Sequence, residues 1–261
     1  MTRTFWLAIA LLIPGCKDLA HDNPLDPNNP DGKADQIVVV ENYIIKNTKS
    51  GTVAPPYNQY SQDALYGLTD IYDERMLILE YHMIPVDTAY QDSLATADNE
   101  FRYVNEYQGG ANRGFPHTFF NGKQKAIQGA SNSDLVRTRY QAVLDSATAQ
   151  KVGFFCYAEQ SISGSMLTID VQLVRYGTET NLEDVRIEYI VFENKGGSSQ
   201  FTVRKILAPA SASLPAGKIF EPPAKSVDIA GLDASKTGVV VMIKDPTSKR
   251  VLQANLAVRR N

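Results

Sequence analysis

The sequence predicts an α/β unit of order β-α-β-α-β-β-α followed by an all-β sandwich. Three observations carry that expectation. Residues 37–45 and 76–81 are valine-, isoleucine- and leucine-rich runs that bracket a stretch of helical spacing. Asn121-Gly122 lies between two short apolar segments, the strongest short hairpin signal. After Gln150 the pattern turns to strict alternation of apolar and polar residues, broken by Gly, Pro, Ser and Asp.

The first run, 37–45, suits a central strand covered on both faces. Pro55 and Pro56 then open a helix. Its inward face is Tyr57, Tyr60, Ala64, Leu68 and Ile71, spaced by three and four. Residues 76–81 form a second buried strand. Residues 88–107 are polar and mixed, with a helix expected over 97–107. Strands at 117–120 and 125–127 flank the Asn-Gly turn. Ser131 and Ser133 are placed to cap a last helix, whose buried stripe is Val136, Tyr140, Val143 and Leu144. In the second unit, Leu167, Ile169, Val171 and Leu173 alternate with polar residues, as do Val185, Ile187, Tyr189 and Val191. One-sided alternation implies that each sheet keeps a wet face. Further strands are expected at 201–206, 238–243 and 251–258, the last two joined by a loop at 245–248. The expected boundaries are 1–15, 16–35, 36–150 and 151–261.

The chain has 261 residues and a formal net charge of −3. This mild acidity argues against nucleic acid as a partner, since nucleic-acid binders present a basic face. The first fifteen residues have the three parts of an export signal: Arg3, an apolar run over 5–13, and small residues before Cys16. That run is too short to span a bilayer. Ile13-Pro14-Gly15-Cys16 resembles the lipobox of bacterial lipoproteins, with isoleucine and proline at positions where leucine and a small residue are commoner. The resemblance implies cleavage between Gly15 and Cys16, lipid on the Cys16 sulfur, and an outer-membrane or cell-surface location in a Gram-negative-type envelope. Residues 17–35 are rich in Asp, Asn and Pro, so they read as a flexible tether. A calcium loop with Gly32 at its sixth position fails, because Pro27 falls where the first ligand belongs and no glutamate closes the loop.

Cys16 and Cys156 are the only cysteines. With Cys16 lipidated, Cys156 has no partner in the chain and reads as a small buried hydrophobe. The histidines are His21 in the tether, His82 at a strand end and His117 beside Pro116. His82 has two readings, a hydrogen bond to a nearby loop or a functional role near Asp87. One histidine at 117 does not make a metal site, and no motif calls for a cofactor. Asp70, Asp73 and Glu74 read as a solvated helix end.

The order of the first unit is similar to the minimal thioredoxin fold, and Gly114-Phe115-Pro116-His117-Thr118-Phe119-Phe120-Asn121-Gly122 resembles its cis-proline strand and hairpin. More specifically, the chain resembles the outer-membrane-protein-twenty-eight-related lipoproteins, through Tyr81-His82 with Asp87, Glu100 with Arg102 and Tyr103, the proline strand, and residues 240–254. That resemblance implies a thioredoxin-like domain followed by an immunoglobulin-like sandwich, and a cis bond before Pro116. A redox thioredoxin carries Cys-x-x-Cys-Pro at the start of its first helix. Here that stretch, 50–56, holds Gly51, Thr52, Ala54 and Pro55 and no cysteine. Thiol–disulfide exchange needs a thiolate, so the expectation is a degenerate, non-enzymatic site. Its remaining use would be to dock an extended peptide beside Phe115, Pro116 and His117, from an unidentified envelope protein. The alternative is an oxidoreductase relative that works through a non-cysteine site or a partner's thiols.

Overall fold

The computed structural model describes residues 23–26, 29, 32–46, 56–87, 90–108, 113–176, 184–197 and 200–260. In chain order the elements are β1 (Ala34–Asp35), β2 (Val38–Ile44), α1 (Tyr57–Tyr66), α2 (Thr69–Tyr72), β3 (Met76–His82) and α3 (Ala97–Arg102). Next come β4 (His117–Phe120), β5 (Lys125–Gln128), α4 (Ser133–Thr148), β6 (Lys151–Val152), β7 (Phe154–Ser163) and β8 (Met166–Arg175). The chain closes with β9 (Asp184–Glu193), β10 (Thr202–Ile206), β11 (Ala210–Ser213), β12 (Ile219–Phe220), β13 (Lys225–Asp228), β14 (Thr237–Lys244), β15 (Val251–Leu256) and β16 (Val258–Arg259). No helix among the described residues is long and apolar enough to cross a membrane.

The expected strand–helix order of the first unit is present. β2 and β3 run parallel and in register from Val38↔Met76 to Ile44↔His82. β4 lies antiparallel on the other side of β2, and β5 lies antiparallel beside β4. Side chains alternate across this sheet. Val38, Val40, Met76 and Ile78 meet α1 and α4 in one core. Val39, Leu77, Leu79 and Tyr81 face the other way into a second.

Local predictions needed four adjustments. α1 ends at Tyr66 and the chain restarts as α2, so the single stripe is broken: Ala64, Leu65 and Leu68 are buried while Tyr57 and Ile71 are half exposed. The α4 cap is Asn132, whose side chain accepts from the Leu135 N–H at 2.8 Å, and neither flanking serine takes that role. The 97–107 helix begins as α3, capped by Thr96, and widens into a π-helical turn at Tyr103–Gln108. The end of the expected tether is tied down. β1 pairs with β6, Asp35 meets Lys151 at 2.8 Å, and the Tyr176 hydroxyl donates to the Pro24 carbonyl. A short ladder and an ion pair hold there what composition alone leaves free.

The second unit contains two facing sheets. One is built on the long β7–β8 hairpin, with β12 and β13 beside β8 and β16 beside β7. Opposite it stand β9 and β14. Leu167, Ile169, Val171 and Leu173 pack on Val185, Ile187, Tyr189 and Val191, the sets that alternation singles out. The expected wet face fails on the β9–β14 side. β10 lies antiparallel to β9 and parallel to β3, so both units share one nine-stranded sheet of order β15-β14-β9-β10-β3-β2-β4-β5, with β11 also on β9. The sheet curls until its ends meet. The Val251 N–H donates to the Asn121 carbonyl at 3.0 Å, and the Ile37 N–H donates to the Gln253 side chain at 3.0 Å. Ile190, Phe192, Val240 and Met242 therefore join Tyr43, Tyr81, Tyr103 and Phe119 in one shared core.

Candidate functional site

The parallel strands end at Ile44 and His82, the edge where open α/β sheets place their ligands. Two features predicted from sequence converge there by register. His117 pairs with Tyr43, so the proline strand enters beside Ile44. His82 pairs with Ile44 on the other side. Residue 46, from which the chain leaves toward α1, follows directly. Gly51, Thr52, Ala54 and Pro55 lie outside the described residues, as do Gly15, Cys16 and His21.

The Phe115–Pro116 bond is cis. Pro116 is buried, and its carbonyl accepts from the Gly129 N–H at 2.8 Å. The Gln128 side-chain amide donates to the Gly114 carbonyl at 3.0 Å. Between them, the N–H and C=O of half-buried Phe115 have no hydrogen-bond partner among the described residues.

His117 faces the shared core. Its Nδ1 lies 3.0 Å from the Tyr103 hydroxyl, and burial pushes the imidazole down to about 4. It is a neutral core histidine, 5 % exposed, and does not present itself to a ligand. His82 faces the opposite side of the sheet, so the two histidines do not meet. His82 takes the loop reading, with Asp92 as its partner: Nδ1 sits 2.8 Å from Asp92 Oδ2, and both side chains are fully buried. The same carboxylate accepts from the Lys46 N–H at 2.6 Å and the Leu94 N–H at 3.0 Å, which ties both strand ends to the 90–96 loop. Asp70, Asp73 and Glu74 are exposed, as expected.

Two polar clusters escaped sequence reading. Under α1, the Glu80 carboxylate accepts from Gln62 at 3.0 Å and from the Tyr66 hydroxyl at 2.6 Å. Burial pushes that carboxyl up to about 8, against the pull of these two donors. The second cluster closes the shared core at its polar end. Arg102 Nη2 lies 2.7 Å from Glu41, and Arg102 Nη1 lies 2.8 Å from Glu188. Lys244, 1 % exposed at its side chain, lies 3.2 Å from Glu106 and 3.4 Å from Glu188. Arg186 reaches Glu106 at 2.7 Å, and the Tyr107 hydroxyl donates to Glu41. Burial alone would raise Glu188, but Arg102, Lys244 and Arg186 outweigh it and hold the carboxyl at about 2. Three acids face three cations, so the cluster is balanced. It staples α3 and the π-helical turn to both halves of the sheet.

Cys156 is 2 % exposed in the sandwich core, and burial pushes its thiol well above the ordinary range. A thiol held neutral and covered is neither nucleophile nor metal ligand. Among the described residues no group of three His, Cys, Asp or Glu could hold a metal.

No family model matches the chain, and no curated protein matches it. Among solved structures, the outer-membrane lipoprotein Omp28 domain of Porphyromonas gingivalis overlaps 41 % of this chain and 88 % of its own, at 13 % identity and a TM-score of 0.30. A Bacteroides uniformis beta-glucuronidase overlaps 39 % of this chain and 12 % of its own, at 12 % identity and a TM-score of 0.29. Both overlaps are too loose to define a fold. HBP35 of Porphyromonas gingivalis aligns over 86 % of this chain and 76 % of its own, at 14 % identity and a TM-score of 0.63. Across both units, this chain is similar in fold to HBP35.

Proposed function

We propose that the chain is a lipid-anchored envelope protein whose thioredoxin-like unit binds an extended peptide and performs no thiol chemistry. The free backbone of Phe115 carries the reading. An unpaired N–H and C=O at the start of a buried strand can take one ladder step of an extended chain. Residues 50–56 lack cysteine, and Cys156 is sealed in the other core. Without a thiolate there is no nucleophile for disulfide exchange. The balanced charge cluster and shared core suit a rigid scaffold. The envelope location rests on the signal-like first sixteen residues.

The anchor and the dock are tested separately. The full chain expressed with its leader should take up radiolabelled palmitate and stay with membranes, and Cys16→Ser should lose both. A wild-type chain that takes no lipid removes the anchor. For the dock, a photoreactive benzoylphenylalanine at position 115 should crosslink one defined envelope protein, and the same group at exposed Leu135 should not. Equal crosslinking from both positions removes the peptide dock.

A further inference from the structure

The β5 end of the nine-stranded sheet is a bare edge, and the groove beside it is built for a particular chemistry. β5 ends the strand order, and among the described residues no strand pairs with its outer side. The ladder phase follows from one bond. The Gly129 N–H donates to the Pro116 carbonyl, so Thr118↔Ile127 and Phe120↔Lys125 are the hydrogen-bonded pairs. The alternate residues, Ala126 and Gln128, turn their N–H and C=O outward. No hydrogen bond engages those four groups among the described residues. They stand one strand repeat apart, the spacing an added strand requires.

Between β5 and α4 runs a groove of about 660 Å³. Ala126, Ile127, Ala142 and Val143 give it a shallow apolar lining. Lys125 and Arg139 are its only charged lining residues, and both are cationic and exposed. A lysine on an edge strand is also a common guard against indiscriminate pairing. Here it is joined by an arginine from α4 across the groove, so the edge repels cations and favours acids. A second copy pairing edge to edge would bring two cationic rims together, which disfavours self-association.

We infer that β5 accepts an acidic extended peptide as a further antiparallel or parallel strand, with its carboxylates between Lys125 and Arg139 and its small apolar side chains in the groove. This site is separate from the Phe115 dock and does not depend on it.

Fluorescence anisotropy of the full chain with a labelled peptide of alternating valine and glutamate tests the inference. The peptide should bind at low salt, and a valine–glutamine counterpart should bind at least tenfold more weakly. Ala126→Pro removes one outward N–H and leaves the β4 ladder intact, because that donor never faced β4. It should abolish binding with an unchanged circular dichroism spectrum. Should proline disturb the hairpin, Arg139→Glu on the exposed face of α4 provides the second arm, with a loss of tenfold or more. Equal affinity for the two peptides overturns the proposal, as does undiminished binding by Arg139→Glu. Sedimentation that shows a dimer in the wild type and a monomer in Ala126→Pro overturns it too, since the edge would then serve a second copy.

Discussion

Glu80 carries a buried carboxyl held by two neutral donors, Gln62 and Tyr66, with the pull of Lys46 the smallest influence on it. Its folded value, about 8, lies above the ordinary 4.5. The folded state therefore holds the extra proton. Its contribution to stability is full below about pH 4.5, falls as pH rises toward 8, and is flat beyond. The total is on the order of 3–5 kcal/mol. Glu80→Gln should remove that slope and unfold at higher urea than the wild type at pH 9. Parallel pH–stability curves for the two proteins would contradict the assignment. Glu188 falls on the face that alternation leaves wet, whereas Glu41 and Glu80 lie in runs read as buried strands, without any partner for their charges. Helix α1 covers Glu80, while the curl of the sheet buries Glu41, Glu188 and Lys244, and no local pattern encodes that curl. Cys156 was legible because its neighbours are apolar on its own strand. The partner of His82 was not, because Asp92 lies in a polar stretch without periodicity.

At the scale of elements, hydrophobic spacing located α1, α4 and most strands, and failed where a long-range contact set the ending. Asn121-Gly122 illustrates both. The pair marks the β4–β5 turn, with φ of 48° and 67°. The loop also serves a second purpose: the Asn121 side chain accepts from the Val39 N–H at 2.9 Å, and Gly122 bridges to Arg250. A Cβ on Gly122 would stand 2.1 Å from the Lys249 carbonyl oxygen. Gly122→Ala should therefore cost more than the left-handed backbone penalty of about 1–2 kcal/mol, because the β14–β15 loop must also move. Urea unfolding of the variant measures this; a loss below about 1 kcal/mol would show that the two loops are not in close contact. The π-helical turn had no sequence signal. It carries Glu106 and Tyr107 into the charge cluster, and the composition of 88–107 reads only as polar.

The described residues build three cores, one of them shared between the two units. A boundary near residue 150 is visible as a change of sequence pattern, yet β10 on β3 and β15 against β2 cross it. The chain should unfold in a single transition. Far-ultraviolet dichroism and the near-ultraviolet signal of the buried tyrosines should share one midpoint, and residues 36–150 expressed alone should not fold. Two separated midpoints would show that the halves are independent.

Function at this scale rests on the claim that the envelope module binds without thiol chemistry. The most direct test is insulin reduction, with dithiothreitol as electron source and the purified chain lacking residues 1–16. The account predicts aggregation of the insulin B chain at the uncatalysed rate, unchanged by Cys156→Ala. Acceleration above that rate would contradict it.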